Sequence, residues 1–321
     1  MEPIRLSAEE CADRLVEINE PLILTHRRPD GDTLASAVAL GLVFEQLGKV
    51  PHYACADPIP ERLAFIMGER KLENYKEGYT PVSIDVASYD QLGSLGEGLP
   101  EVVLMIDHHG KSTPFAPCYS VPETSSAAEV LFDVIEVLEK RGLVSLDKAL
   151  CEALYTAISS DTGCFRFSNA GKRVHELAAR LIEFGIDFAD INHRLFDSKT
   201  REQIKAESFI GSRISFADGG RIAYSALCKK DLSELGLTME SFDTAIDVIR
   251  SVLGVQIAFI IKERAEGDYR VSLRSVAPGM DRIAAEFGGG GHSRAAGCSI
   301  KADSPENAAG IILAAIEAQG L

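Results

Sequence analysis

Three short apolar runs, each ending against a carboxylate or a histidine, do most to limit what this chain can fold into. They are Leu22-Ile23-Leu24-Thr25 before His26, Pro81-Val82-Ser83-Ile84 before Asp85, and Val102-Val103-Leu104-Met105-Ile106 before Asp107-His108-His109. Runs of four or five residues without polar alternation suit strands buried on both faces, and such strands belong to covered parallel sheets. Helical spacing follows them: Leu34, Val38 and Leu42 lie four apart in a segment spanning 32–49, with Asp32 as its candidate cap, and helical patterns recur near 126–140 and 146–159. Strands separated by helices predict an α/β fold with a doubly wound parallel sheet, whose ligands gather beyond the carboxyl ends of the strands.

The 321 residues suffice for about two domains. A polar helical stretch, including Asp197-Ser198-Lys199-Thr200-Arg201-Glu202, suits a connecting helix. Beyond it, strands at 221–227, 256–262 and 269–273 and a closing helix at 307–318 predict a second, smaller α/β unit. The expected division is 1–186 for the first domain, 187–214 for the connection and 215–321 for the second domain.

Composition removes several classes of function. No apolar run approaches the roughly 20 residues of a membrane span. The start, Met1-Glu2-Pro3-Ile4-Arg5, lacks the basic-then-apolar order of a secretory signal, so a cytoplasmic location is expected. Seven scattered cysteines with no Cys-x-x-Cys pair predict neither a disulfide framework nor a zinc-thiolate site. A formal net charge of −15 makes the chain a poor binder of long duplex nucleic acid, because neutralising phosphates dominates that affinity. Any phosphate handled here needs metal ions and a few placed basic residues.

Candidate ligands recur at four sites: Thr25-His26-Arg27-Arg28-Pro29-Asp30-Gly31-Asp32, Asp85, Asp107-His108-His109 and Asp161. Singly, each has an ordinary explanation as a helix cap or turn residue. Together they supply imidazoles and carboxylates without thiolate, a set for hard or borderline ions, and clustered carboxylates need cations to offset their repulsion. Two divalent metals about 3.5–4 Å apart would use this many ligands and suit phosphoester hydrolysis. Manganese is the first expectation, with magnesium and cobalt open.

His26-x-x-x-Asp30-Gly31-Asp32, Asp85, Asp107-His108-His109 and Ser160-Asp161-Thr162-Gly163 resemble the four metal motifs of the DHH phosphoesterase superfamily. Ser272-Leu273-Arg274-Ser275 and Gly288-Gly289-Gly290-Gly291-His292-Ser293-Arg294-Ala295-Ala296-Gly297 resemble the DHH-associated domain of its RecJ and NrnA branch, and the compact length is similar to the NrnA group. The resemblance implies that His26, Asp30 and Asp85 hold one metal and that Asp32, Asp85, His108 and Asp161 hold the other. It places His109 near the scissile phosphate or leaving oxygen, with Asp107 orienting the histidines. Asp90 stands apart as a loop or helix-start residue.

In the second domain, Gly289, Gly290 and Gly291 free the backbone to approach an anion, and Arg274, Ser275, His292 and Arg294 form a basic patch for a substrate's phosphate or base. Ser125 resembles a family position near the active cleft, although Ser125 or Ser126 reads equally as a helix cap. Arg27, Arg28 and Arg166 fit either substrate or solvent.

The function implied is hydrolysis by a hydroxide held between two metals, in a cleft between a catalytic and a substrate-selecting domain. The implied substrates are short RNA, linear dinucleotides such as pApA, and pAp. Rivals are a cyclic di-AMP phosphodiesterase, an exopolyphosphatase or pyrophosphatase, against which the 288–294 segment argues, and an inactive nucleotide-binding module. Oligomeric state stays open, a homodimer included.

Overall fold

The computed structural model describes residues 4–122 and 124–321; Met1, Glu2 and Pro3, which begin the expected non-signal start, lie outside the described residues. The chain divides into two units, Met1–Ser198 and Lys199–Leu321, and the division falls inside the 187–214 stretch.

The first unit runs α1 (Ala8–Glu17), β1 (Pro21–Leu24), α2 (Gly31–Gln46), β2 (His52–Ala54), α3 (Ala64–Met67), β3 (Thr80–Ile84), β4 (Leu104–Asp107), β5 (Cys118–Ser120), α4 (Ala127–Lys140), α5 (Lys148–Asp161), α6 (Lys172–Ile182) and α7 (Phe188–Asn192). Its sheet has the order β2-β1-β3-β4-β5, with every pair parallel. Successive strand side chains face opposite sides. Ile23, Val82, Ile84, Leu104 and Ile106 therefore enter one core with α1, α2, α4 and α5. Leu22, Leu24 and Met105 enter another with Val86, Leu92, Val102 and Ala116. Burial on both faces is why these runs carry no polar alternation. The chain passes from β1 to β2 on one side and then returns to lay β3 on the other. Strand order thus reverses between β1 and β3, where open α/β sheets form their ligand crevice.

Helix starts follow capping chemistry. Ser7 and Glu10 form a capping box on α1, Ser126 accepts the Glu129 N–H at α4, and Asp147 accepts the Leu150 N–H at α5. At α2 the expectation needs correcting. Asp30, not Asp32, is the cap, accepting the Thr33 N–H at 3.0 Å, and Asp32 lies inside the first turn. The expected connecting helix is two helices, α7 in the first unit and α8 (Arg201–Gly211) in the second. A π-helical turn follows α7 at His193–Asp197, and the Thr200–Gln203 capping box starts α8 afresh.

The second unit continues with β6 (Ser215–Ala217), β7 (Ile222–Leu227), α9 (Lys229–Leu235), α10 (Ile246–Arg250), β8 (Ile257–Ala265), β9 (Asp268–Ser275), α11 (Met280–Glu286), β10 (Gly290–His292), β11 (Ala295–Lys301) and α12 (Pro305–Ala318). Its sheet runs β10-β11-β9-β8-β7-β6, antiparallel except for β7–β8. One face packs Phe259, Ile261, Val271, Leu273 and Ile300 against α11 and α12. On the other face, Ala223, Leu227, Ala258 and Ile260 pack against α8 and α10.

No helix among the described residues is long and apolar enough to cross a membrane.

Candidate metal centre

The carboxyl ends of β1, β3 and β4 deliver most of the candidate ligands. Beyond β1, Thr25 is anchored by its hydroxyl to the Ala54 carbonyl at 3.2 Å. The next turn is tied down by two backbone donors: Arg27 N–H bonds the Gln91 carbonyl at 2.7 Å and Arg28 N–H the Asp57 carboxylate at 2.9 Å. The His26 Nδ1 lies 2.9 Å from the Arg27 carbonyl, which can only accept, so Nδ1 carries the proton. Its Nε2 is left facing Asp30 Oδ2 at 3.8 Å and Asp85 Oδ2 at 3.6 Å.

Asp85 follows β3 in the left-handed region, with φ at 59°, and is buried. Such a backbone costs a non-glycine residue about 1–3 kcal/mol. Its N–H is held by the Ile106 carbonyl at 2.9 Å. Asp85 Oδ1 lies 3.4 Å from His108 Nε2 and 3.7 Å from His109 Nδ1 but accepts no well-aligned hydrogen bond.

The Asp-His-His tripeptide divides three ways. Asp107 ends β4 fully buried, and its Oδ1 accepts the His109 Nδ1 proton at 2.7 Å, while its Oδ2 is buried without a hydrogen bond. The His108 Nδ1 donates to the Thr124 carbonyl at 3.1 Å, and its Nε2 lies 3.6 Å from Asp32 Oδ2. A ring pinned through one nitrogen, with the other aimed at carboxylates, is the usual arrangement of a metal-binding histidine.

Asp32 is buried among donors: Ser36 Oγ bonds its Oδ1 at 2.8 Å and the Ala127 N–H, at the start of α4, bonds its Oδ2 at 2.9 Å. Asp161 is the last residue of α5. Asn169 Nδ2 lies 3.1 Å from its carbonyl, 3.5 Å from its Oδ2 and 3.2 Å from the Ser125 carbonyl. Ligand atoms of His26, Asp30 and Asp85 lie within 4.8 Å of one another, and so do those of Asp32, His108 and Asp161, and those of Asp85, Asp107 and His109.

Electrostatics tests whether this set fits cations. Burial depresses the His26 imidazole, yet the Asp30 and Asp85 carboxylates push its pKa up to about 12. His108 is likewise raised, against burial, by Asp85, Asp32 and Asp161. Burial, against the pull of His108, pushes Asp161 up to about 7, and burial together with the Asp85 charge raises Asp32 well above the carboxylate range. Protons thus offset the crowded negative charge of the protein alone. Divalent cations would do the same through oxygen and imidazole donors, and the buried Asp85 Oδ1, which accepts no well-aligned hydrogen bond, supplies an acceptor for them, so the residues fit such ions.

The other expected positions are placed as follows. Ser125 is buried at 1% exposure; its N–H donates to Glu129 Oε2 and its carbonyl accepts from Asn169, so it joins two segments behind Asp161 rather than presenting a surface. Arg166 donates to the Gly163 carbonyl and lies over the Phe196 ring. Arg27 and Arg28 are exposed, and Asp90 is exposed in the Tyr89–Gly96 3₁₀ segment. Arg274 and Ser275 end β9, and the Arg294 carbonyl accepts the Ser275 N–H.

The glycine run forms a hairpin edge rather than an open loop: Gly290, Gly291 and His292 pair with Gly297, Ala296 and Ala295. A Cβ at Gly289 would lie 2.2 Å from the Gly297 carbonyl oxygen, and one at Gly291 2.5 Å from that of Ala295. Those two glycines are required by close approach to β11, whereas Gly290 has open space beside it.

Sequence reading missed three supports. Ser36 had a signal, since it lies one helical turn after Asp32. Thr124 and Asn169 had none, because Thr124 acts only through its backbone carbonyl, which any residue type offers, and Asn169 reaches the carbonyls of Ser125 and Asp161.

Comparison with known proteins accords with this geometry. Residues 21–158 match the model of the DHH family, N-terminal domain, and residues 219–319 that of the DHHA1 domain. A Thermus thermophilus protein named bifunctional oligoribonuclease and PAP phosphatase NrnA is 31% identical over 94% of this chain and 89% of its own length. A Bacillus subtilis protein of the same name is 25% identical over 89% of this chain and 91% of its own length. The crystal structure of an exopolyphosphatase-related protein from Bacteroides fragilis has the same fold, with a TM-score of 0.86 at 22% identity, over 97% of this chain and 96% of that one.

Proposed function

The chain belongs to the DHH family of metal-dependent phosphoesterases, and from that premise we propose that it hydrolyses short oligoribonucleotides and linear dinucleotides, and converts pAp to AMP. The observation that carries this reading is the pair of ligand clusters connected by Asp85, each with one histidine pinned so that its Nε2 faces carboxylates.

His26, Asp30 and Asp85 would hold one divalent cation, and Asp32, Asp85, His108 and Asp161 the other, with manganese as the proposed ion and magnesium or cobalt as substitutes. When bound, such a pair lowers the pKa of water and offsets charge on phosphoryl oxygens.

The chain's own chemistry lies with His109 and Asp107. The Asp107 carboxylate accepts from Nδ1 and favours the imidazolium form, so His109 Nε2 can give a proton to the leaving oxygen as the P–O bond breaks. Asp107 then stabilises the ring's orientation without carrying the proton itself. In the second unit, Arg274, Ser275, His292, Arg294 and the backbone of Gly289 to Gly291 would receive the phosphate and base of the substrate. Guanidinium groups suit this task because they bind phosphate bidentately.

The test is purified protein with manganese offered pApA, tri- and tetraribonucleotides, pAp, cyclic di-AMP and pyrophosphate. Turnover of the linear nucleotides and pAp is expected. Turnover confined to cyclic di-AMP or to pyrophosphate would overturn the assignment.

A further inference from the structure

One short stretch of backbone, residues 124–127, supports three clustered ligand candidates at once: Asp32, His108 and Asp161. The Thr124 carbonyl accepts the His108 Nδ1 proton at 3.1 Å, and the Ala127 N–H bonds Asp32 Oδ2 at 2.9 Å. The Ser125 carbonyl accepts from Asn169 Nδ2 at 3.2 Å, and the same amide lies 3.1 Å from the Asp161 carbonyl. All three contacts use backbone groups, so the path of this segment, not its side chains, aims the ligands. The remaining ligand candidates are held elsewhere. His26 donates to the Arg27 carbonyl, Asp30 accepts the Thr33 N–H, and the Asp85 N–H bonds the Ile106 carbonyl.

A buried carboxylate in the first turn of α4 holds the segment in place. Glu129 is 4% exposed. Its Oε2 accepts the Ser125 N–H at 2.7 Å, and its own N–H donates to Ser126 Oγ at 3.2 Å. Its Oε1 lies 3.3 Å from Arg173 Nε at the start of α6. The Arg173 guanidinium also bonds Asp133, which accepts the Tyr119 hydroxyl at 2.9 Å. At its other end the segment is tied by the Thr124 hydroxyl to the Val121 carbonyl at 3.0 Å.

Taking a carboxylate out of water is costly unless charge and hydrogen bonds compensate it. Both Glu129 oxygens face donors, and a glutamine accepting from Ser125 would turn its own amide donor toward Arg173. Capping α4 does not account for the carboxylate, because Ser126 already caps that helix.

We propose that Glu129, fastened by Arg173, is a positioning residue for one of the two cations. It fixes segment 124–127, and through it the aim of Asp32, His108 and Asp161, without touching metal or substrate. This role presupposes the two-cation reading of the site.

Titration calorimetry of the full chain with manganese should resolve two binding steps, and Asp161→Asn marks the step that belongs to Asp32, His108 and Asp161. Glu129→Met keeps the length of the side chain without its acceptor. It should weaken the marked step about tenfold, the low end of the cost of losing a group that orients a ligand, and leave the other within about threefold. Glu129→Gln can still accept from Ser125 and should bring the marked step back to within about threefold of wild type. Arg180→Gln breaks ion pairs between α6 and α4, those with Glu136 and Glu139, and should leave both steps unchanged. Wild-type affinity in Glu129→Met would overturn the proposal. Equal weakening of both steps, or a loss in Arg180→Gln like that in Glu129→Met, would do so too, since either reduces Glu129 to general packing. Should Glu129→Met fail to fold, Arg173→Gln decides: it should weaken the marked step alone by about threefold, the scale of a half-exposed ion pair, and absence of that selective loss overturns the proposal. A wild-type protein that binds one manganese or none fails the two-cation reading itself and takes the proposal with it.

Discussion

Gly31 and Ser160 leave no room between them: a Cβ at position 31 would stand 2.2 Å from Ser160 Oγ and 2.8 Å from its Cβ. This contact seats the start of α2, which carries Asp30 and Asp32, against the end of α5, which carries Asp161. Gly31→Ala should destabilise the protein by about 1–3 kcal/mol, as overpacking does. It should also weaken manganese binding, and Ser160→Gly in the same chain should restore part of both. Calorimetric titration with manganese and thermal melts check this; a Gly31→Ala protein with wild-type melting and binding would refute it.

Asn169 acts on Asp161 from behind. Asn169→Ala should lower manganese affinity about 10–100-fold, the usual cost of losing a group that orients a metal ligand. Asn169→Asp should be worse, since it sets a second carboxylate beside Asp161. Titration calorimetry reads this without reference to turnover, and unchanged affinity in both variants would rule it out.

Asp107 and His109 should separate chemistry from metal binding. Asp107→Asn leaves an oxygen that can accept the His109 Nδ1 proton but removes the negative charge that favours the imidazolium, so kcat should fall about 10²–10⁴-fold. Manganese affinity should stay within about threefold, well short of the cost of losing a ligand. A parallel collapse of affinity would make Asp107 a ligand instead, a role open to it because its carboxylate also clusters with Asp85 and His109.

The metal-free protein should lose stability as pH rises through neutrality. Asp161 is pushed up to about 7 in the folded chain, against about 3.9 for an unfolded aspartate. Between those values the folded state binds more protons than the unfolded state, so its stability falls with increasing pH. Its melting temperature should therefore drop from about pH 5 to about pH 8, Asp161→Asn should flatten the drop, and saturating manganese should abolish it. Equal melting temperatures at both pH values without metal would contradict the prediction.

Asp85→Gly tests strain against function. Glycine tolerates φ of 59°, but the substitution also removes a carboxylate that, against burial, His108 and His26 hold well below its ordinary range, so the metal-free protein should lose about 1 kcal/mol or more despite the relief of strain. Hydrolysis and manganese-dependent stabilisation should both disappear. A variant more stable than wild type without metal would show that backbone strain outweighs the pairing of the carboxylate with His26 and His108.

Much of the catalytic half was legible because strand ends are where period and chemistry meet. The run ending at Ile106 announces β4, and Asp107, His108 and His109 must then emerge at its carboxyl edge. β2 and β5 were not legible, since each is three residues long and is defined by its neighbour's backbone. The glycine run misled in a different way. Glycine has little strand propensity, and only the approach of β11 makes Gly290 to His292 an edge strand.

The sequence by itself determined the inventory of candidate ligands and the sheet edge to which most of them are delivered, because burial pattern and side-chain type are local properties of the chain. Only the tertiary structure decided that Asp30 rather than Asp32 caps α2, that Asp85 turns left-handed, and that Thr124 and Asn169 brace His108 and Asp161. Packing supplies the contacts that decide them: the Ala127 N–H takes the Asp32 carboxylate, the Ile106 carbonyl holds the Asp85 N–H, and the Thr124 carbonyl and Asn169 amide reach His108 and Asp161.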